Sequence, residues 1–123
     1  MNDRYGHRAG DEALVHLASV VKETVRPGDT VARYGGEEFL IVMPETKLVE
    51  AEAVLVRVQR ELTKRIFLHN NERVLITFSA GVTEWLPHED RDAVIARADA
   101  AQYRAKVLGK NRVVPAPGPA MAA

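Results

Sequence analysis

The chain has 123 residues, of which 46% are hydrophobic, enough for the core of one domain but not of two. Lys+Arg and Asp+Glu both number 17, so the formal net charge of +0 gives no overall basic surface for nucleic acid or an anionic membrane. With 0 cysteines, no apolar run that could span a bilayer and a charged start unlike a signal peptide, we expect a cytoplasmic protein without disulfides, thiolate metal sites or membrane contact.

The first predicted element is an amphipathic helix over residues 11–25. Its apolar positions recur at the helical period, and Pro27-Gly28 ends the pattern. The stripe predicted to face the core consists of Leu14, Leu17, Ala18, Val21 and Val25.

A hairpin is predicted next, because two short β-prone runs, residues 30–34 and 40–44, flank Gly35-Gly36 and the acidic pair Glu37-Glu38. Glycine adopts positive φ and has no side chain, so this tip permits both a tight turn and close approach by a bulky anion. Acidic side chains there suit a metal bound to a phosphate. The pattern alone favours a solvated tip that binds no metal, since such hairpins are common.

The remaining pattern predicts a second helix, a strand, a third helix and a short closing strand. The second helix is capped by Thr46 and runs to about Ile66, and the strand covers residues 73–83. The third helix begins at Asp90 or Asp92 and stops at Gly109, and residues 112–114 form the last strand. Residues 115–123 are a Pro/Ala tail expected to be disordered, so the domain is expected to cover residues 1–114.

The predicted inner face of the second helix consists of Ala51, Val54, Leu55, Val58, Leu62 and Ile66. This order of helices and strands describes an α/β sandwich (α+β class) with a mostly antiparallel sheet and helices on its faces.

Five ordered segments carry a resemblance to a known family. They are Asn2-Asp-Arg-Tyr-Gly-His7 with Gly10-Asp11; Arg33-Tyr-Gly-Gly-Glu-Glu-Phe39; Thr77-Phe-Ser-Ala-Gly-Val82; Ala98-Asp99 with Tyr103, Ala105 and Lys106; and Gly109-Lys-Asn-Arg112. Together they resemble a GGDEF domain, the catalytic module of diguanylate cyclases. The resemblance implies a ferredoxin-type antiparallel sheet with flanking helices.

The same resemblance implies condensation of two GTP molecules to cyclic di-GMP with release of pyrophosphate, with Mg²⁺ or Mn²⁺ as cofactor. Each domain of this family holds one GTP, so the implied partner is a second GGDEF domain in a homodimer. Glu37 and Glu38 match the acidic catalytic and metal-binding positions of the family. A metal pair there can activate the 3′-hydroxyl and stabilise charge on the α-phosphate.

The substrate-binding positions implied by the resemblance are Asn2 and Asp11 for guanine, Gly35 and Gly36 for the phosphates and ribose, and Lys106 and Lys110 for the phosphates. An aspartate accepts from the N1 and N2 hydrogens of guanine, a donor pattern that adenine lacks. The i,i+4 spacing of the two lysines near a helix end would put both ammonium groups on one side. Without the family, a solvated basic helix end favoured by the macrodipole is the preferred interpretation. Lys110 stands where the family usually has arginine, so a bidentate phosphate contact is expected to become a point-charge contact.

Arg26-Pro27-Gly28-Asp29 has the Arg-x-x-Asp form of the family's product-inhibition site, and Arg57 matches a second arginine of that site more loosely. The same residues also form a plain Pro-Gly turn. If the Arg-x-x-Asp match is a binding site, the alternative function is a non-catalytic regulatory module that binds cyclic di-GMP or GTP.

The family pattern begins before this sequence, with a strand that carries a metal-binding Asp and a Phe-Lys pair. On this resemblance the domain is N-terminally incomplete, and a lost inner strand would leave open strand edges. A truncated sequence, a strand supplied by a partner and a rearranged chain all remain possible. We therefore expect impaired activity and self-association of this chain, the latter contradicted by a well-behaved monomer in size-exclusion chromatography with light scattering.

Overall fold

The computed structural model of the chain describes residues 6–116, and their side chains from residue 10 onward. The elements in chain order are α1 (Gly6–Thr24), β1 (Thr30–Arg33), β2 (Phe39–Val42), α2 (Leu48–Lys64), β3 (Leu68–His69), β4 (Glu72–Arg73), β5 (Ala80–Thr83), α3 (Arg91–Val107) and β6 (Val113–Ala116). They form two compact units, which within the described residues comprise 6–44 with 57–76 and 45–56 with 77–116. None of the helices within residues 6–116 is both long and apolar enough to cross a membrane.

In the first unit, the predicted helix α1 is confirmed and begins at Gly6, earlier than expected. From residue 10 onward, its buried residues are Gly10, Ala13, Val20 and Val21. Val21 is buried as predicted, whereas the other members of the predicted stripe, Leu14, Leu17, Ala18 and Val25, are only half-buried. The predicted stripe was therefore rotated relative to the observed one. Neighbouring stripes fit the 3.6-residue period almost equally well, and only tertiary packing decides between them.

The predicted hairpin is also confirmed. Strands β1 and β2 pair antiparallel with a register that runs from Thr30 opposite Val42 to Arg33 opposite Phe39. A second, unpredicted hairpin joins β3 to β4 through Asn70 and Asn71, whose φ angles are 53° and 63°. Asparagine tolerates this left-handed conformation, which two-residue hairpin turns require.

Helix α2 is confirmed, and its predicted inner residues Ala51, Val54, Leu55, Val58 and Leu62 are buried. Ile66 is the exception, with 60% of its surface exposed. The helix ends at Lys64, so Ile66 lies outside the helical period on which its prediction depended.

In the second unit, α3 packs against the strands β5 and β6, which pair parallel. The helix begins as predicted, since the Asp90 side chain accepts a hydrogen bond from the Ala93 amide at 2.7 Å. Gly81 of β5 lies under α3 so closely that a Cβ there would be 2.0 Å from the Ala98 carbonyl oxygen. Glycine is required at this position by space, because a side chain would meet helix backbone.

Two predictions in this part of the chain need correction. The strand predicted over residues 73–83 is divided into β4 and β5, and residues 74–79 between them are outside any strand. Exposure still alternates there, with Ile76 buried between the exposed Leu75 and Thr77. Alternation reports side-chain burial, whereas a strand also needs a hydrogen-bonded neighbour.

Strand β6 includes Pro115 and Ala116, so the prediction that these two residues belong to the disordered tail was wrong. The tail beyond them, residues 117–123, lies outside the described residues. The strands of the described residues form three two-stranded sheets, two antiparallel and one parallel, where the sequence predicted one mostly antiparallel sheet.

The loop from β5 to α3 is held by the half-buried guanidinium of Arg97. It donates hydrogen bonds to the carboxylate of Glu89, to the hydroxyl of Thr83 and to the backbone carbonyl of Glu84. A carboxylate oxygen of Glu84 in turn accepts from the Leu48 amide at 3.1 Å, which caps the start of α2. This network joins β5, α2 and α3 within the second unit.

This network predicts a pH dependence of stability. The hydrogen bond from Arg97 lowers the pKa of Glu89, so its carboxylate stabilises the fold above the unfolded-state pKa. That contribution is lost as the pH falls through the ordinary glutamate value of about 4.3 towards the lower folded-state pKa. Thermal unfolding of wild type and Glu89→Gln between neutral and acidic pH should show curves that differ at pH 7 and converge in acid. A constant difference would contradict this assignment.

Candidate functional site

The tip of the β1–β2 hairpin holds the residues predicted to carry the chemistry. The Tyr34 amide donates to the Glu38 carbonyl at 2.8 Å, which closes the loop between the strands. Gly35 has a φ of 87°, a conformation that favours glycine. Gly36 has no left-handed φ, and a Cβ added there would meet no described atom within 4 Å. The fold therefore requires glycine at position 35 but not at 36.

Two carboxylates follow each other in sequence on this tip. Glu37 is exposed and Glu38 is half-buried, with its Oε2 atom 3.9 Å from where a Gly35 Cβ would stand. Within residues 6–116 no three acidic or histidine side chains are grouped as a complete metal site. Two adjacent carboxylates still fit Mg²⁺, which commonly binds one or two carboxylates and completes its shell with water and substrate phosphates. The donor set therefore fits a metal brought together with a nucleotide.

The predicted guanine-binding residues are only partly described. Asp11 is exposed on α1, in the same unit as the hairpin. Asn2 lies outside the described residues. Asp11 is accessible to a ligand, as its predicted role requires.

The two predicted phosphate-binding lysines are exposed at the end of α3, in the second unit. The Lys110 amide donates to the Ala105 carbonyl at 2.9 Å, and the Gly109 amide to the Lys106 carbonyl at 3.3 Å. With a Gly109 φ of 125°, this is a Schellman motif, and the predicted glycine stop is confirmed. Lys110 is outside the helix with a φ of 64°. The expectation that Lys106 and Lys110 are related by one helical turn was therefore wrong. The motif reverses the chain between them.

The Arg26–Asp29 segment forms a turn with Gly28 at a φ of 95°. Asp29 accepts from the Arg26 amide at 3.0 Å and from its Nε at 3.4 Å. Only 3% of the Asp29 side chain is exposed, against 39% for Arg26. The two predicted product-binding side chains are thus paired with each other. Arg57, the looser match, lies on an exposed position of α2.

Sequence reasoning missed Arg33, the last residue of β1. Its Nη2 atom donates to the Gly36 carbonyl at 2.6 Å, and its side chain lines a cavity of about 210 Å³ between α1 and the hairpin. The other lining residues are Leu14, Val15, Ala18, Lys22, Val31 and Phe39. The position of Arg33 directly before the loop was the available signal, but nothing in the sequence shows that its side chain folds back over the loop.

The sequence of this chain is similar to those of known proteins. The sequence profile of the family described as "Diguanylate cyclase, GGDEF domain" matches residues 1–112. Diguanylate cyclase A of Treponema denticola is 37% identical over 114 residues, covering 92% of this chain and 31% of that protein. Diguanylate cyclase DgcZ of Escherichia coli K12 is 40% identical over 112 residues, covering 91% and 38%. The chain spans about a third of these curated relatives.

A solved structure is similar as well. The GGDEF domain of DgcB from Caulobacter crescentus, in complex with c-di-GMP, superposes with a TM-score of 0.85 at 37% identity, covering 93% of this chain and 68% of that one. This similarity confirms the predicted α/β fold class. The profile match, the relatives and the shared fold together place this chain in the GGDEF diguanylate cyclase family.

Proposed function

We propose that this chain acts as a diguanylate cyclase domain, which joins two GTP molecules into cyclic di-GMP and releases pyrophosphate. The observation that carries the proposal is the hairpin tip, where Glu37 and Glu38 lie beside two glycines in a chain of the GGDEF family. Gly36 also supports the proposal. The fold itself does not require glycine at this position, whereas close approach of a ligand to the backbone would require it.

Glu37 and Glu38 would hold the metal, Mg²⁺ or Mn²⁺. When bound, such an ion activates a hydroxyl nucleophile and stabilises charge that builds on a phosphate. The two carboxylates would help to orient the bound nucleotide, and Gly35 and Gly36 would let the backbone lie against the phosphates and ribose. Asp11 sits at the first turns of α1, where its exposed carboxylate can accept from the guanine edge.

The remaining contacts to GTP are assigned to Asn2 on the guanine and to Lys106 and Lys110 on the phosphates. Both lysines are exposed, and ammonium groups are effective phosphate binders as point charges. One domain holds one GTP, whereas the product joins two, so the partner of the reaction is a second copy of the domain facing the first.

The test is chromatographic detection of cyclic di-GMP after incubation of the 123-residue chain with GTP and Mg²⁺ at high protein concentration. Product formation that rises more steeply than linearly with protein concentration is expected, because two domains must meet. Absence of product while GTP binding is retained would reject catalysis and leave a nucleotide-binding module. Absence of both would reject the proposal.

A second candidate function, binding of cyclic di-GMP as a regulatory ligand, rests on the Arg26–Asp29 pair. Guanidinium groups stack on and donate to guanine, and carboxylates accept from its edge. Because the two side chains are bonded to each other and Asp29 is buried, a ligand must displace this pairing to engage both. The expected affinity for cyclic di-GMP is therefore lower, because the free energy of the Arg26–Asp29 pair is lost on binding.

Isothermal titration calorimetry with cyclic di-GMP checks this site. Arg26→Ala is expected to weaken binding by at least about tenfold, because it removes a charged hydrogen-bonding partner of the ligand. Arg60→Ala removes an exposed arginine of α2, outside the Arg26–Asp29 turn, and this control variant should bind as wild type does. Equal affinities for wild type and Arg26→Ala would remove this site from consideration.

A further inference from the structure

The side chain of Arg33 spans the loop that carries the two carboxylates. Its Nη2 atom donates to the Gly36 carbonyl at 2.6 Å, while the Tyr34 amide donates to the Glu38 carbonyl at 2.8 Å. The second bond closes the base of the loop, and the first holds its middle. Since the peptide bond is planar, fixing the Gly36 carbonyl also fixes the orientation of the Glu37 amide.

Gly36 itself adds little packing to this loop. Gly36 is exposed, and a Cβ there would meet no described atom within 4 Å, so no described packing supports the backbone on that side. Glycine also loses more conformational freedom on ordering than any other residue. A hydrogen bond from a charged donor is among the stronger contacts available to an exposed loop.

Arg33 is itself held in place. It is the cross-strand partner of Phe39, and both residues line the cavity next to α1. An arginine stem can lie along such an apolar wall while its charged end stays in water. The guanidinium is therefore anchored from the strand side and reaches the loop from a defined direction.

We propose that Arg33 is a positioning residue, which fixes the Gly36–Glu37 peptide and thereby directs the carboxylates of Glu37 and Glu38. This inference rests on the proposed function of the hairpin tip. Arg33 acts through the loop backbone and is not itself assigned a contact with GTP.

The test uses ¹⁵N-labelled 123-residue chain as wild type, Arg33→Ala and Arg33→Lys, with Arg73→Ala as the matched control. Arg73 is another exposed arginine of a hairpin strand in the same unit. The first readout is the order parameter of the Glu37 amide. The second is broadening of the Glu37 and Glu38 amide resonances by Mn²⁺ alone, from which an apparent Kd is obtained.

In Arg33→Ala the order parameter of the Glu37 amide is expected to fall from about 0.85 to below about 0.6. The apparent Kd for Mn²⁺ should rise about tenfold, the usual cost of losing a residue that orients metal ligands. Arg33→Lys retains a charged donor but not the planar fork, so a smaller rise of about threefold is expected. Arg73→Ala should change neither value.

The outcomes distinguish the metal site of the proposed function from the positioning role of Arg33. Wild type without Mn²⁺ broadening at the tip would overturn the metal site of the proposed function, whereas the order parameter would still test the role of Arg33. An unchanged order parameter and unchanged Kd in Arg33→Ala would overturn the positioning role alone. If Arg33→Ala proves unfolded by circular dichroism, Arg33→Lys decides, and wild-type values in that variant would equally overturn it.

Discussion

Replacing Gly81 by alanine is expected to destabilise the chain by about 3 kcal/mol, the upper end of the usual cost of overpacking. The added Cβ would stand 2.0 Å from the Ala98 carbonyl oxygen, 2.5 Å from the Gln102 amide nitrogen and 2.8 Å from the Ala101 Cβ. Two of these atoms are helix backbone, so no side-chain rotation can relieve the clash, and α3 must move away from β5. Thermal and urea unfolding followed by circular dichroism measure the loss.

Gly36→Ala is the matched control for this variant, because a Cβ there meets no described atom within 4 Å. Its unfolding free energy should remain within about 0.5 kcal/mol of wild type. A Gly81→Ala variant as stable as wild type would show that α3 does not press against β5 as described. Equal losses in both variants would point instead to a general cost of replacing glycine.

The second large effect is expected in activity rather than stability. Glu37→Gln should lower formation of cyclic di-GMP from GTP and Mg²⁺ by at least about 100-fold, while the midpoint of thermal unfolding changes little. The substitution keeps the size of the side chain and removes the charge that a divalent ion needs. Glu37 is exposed on a loop, so the core does not depend on it. The measurement is the initial rate of product formation by chromatography.

Glu72→Gln serves as its control, since Glu72 is also an exposed glutamate that borders a hairpin turn in the same unit. It should retain the wild-type rate. A Glu37→Gln variant that keeps the wild-type rate would remove this carboxylate from the proposed metal site. A comparable loss in both variants would indicate an effect of net charge rather than of position.

These two predictions address different parts of the molecule. Gly81 sets how α3 lies on β5 and β6 within the second unit, and α3 carries Lys106. Glu37 belongs to the hairpin tip of the first unit. A variant that fails in folding and one that fails in chemistry are therefore distinguishable by comparing unfolding with turnover.

Local signals in the sequence were sufficient for much of the fold. Apolar periodicity predicted the three helices, the acidic pair Asp90 and Asp92 predicted the start of α3, and Gly109 predicted its end. Gly35-Gly36 between two β-prone runs predicted the hairpin. Each of these features depends on interactions between residues a few positions apart, which is why they can be read without tertiary structure.

The sequence by itself therefore determined the helices, the hairpin and, through ordered motifs, the family. Tertiary structure decided which stripe of α1 is buried, the parallel pairing of β5 with β6 and the division of the predicted strand at residues 74–79. It also decided that Lys110 leaves the helix and that Arg33 bonds to Gly36. Each of these depends on which surface or partner a residue meets in the folded chain, and periodicity and local propensity do not encode that choice.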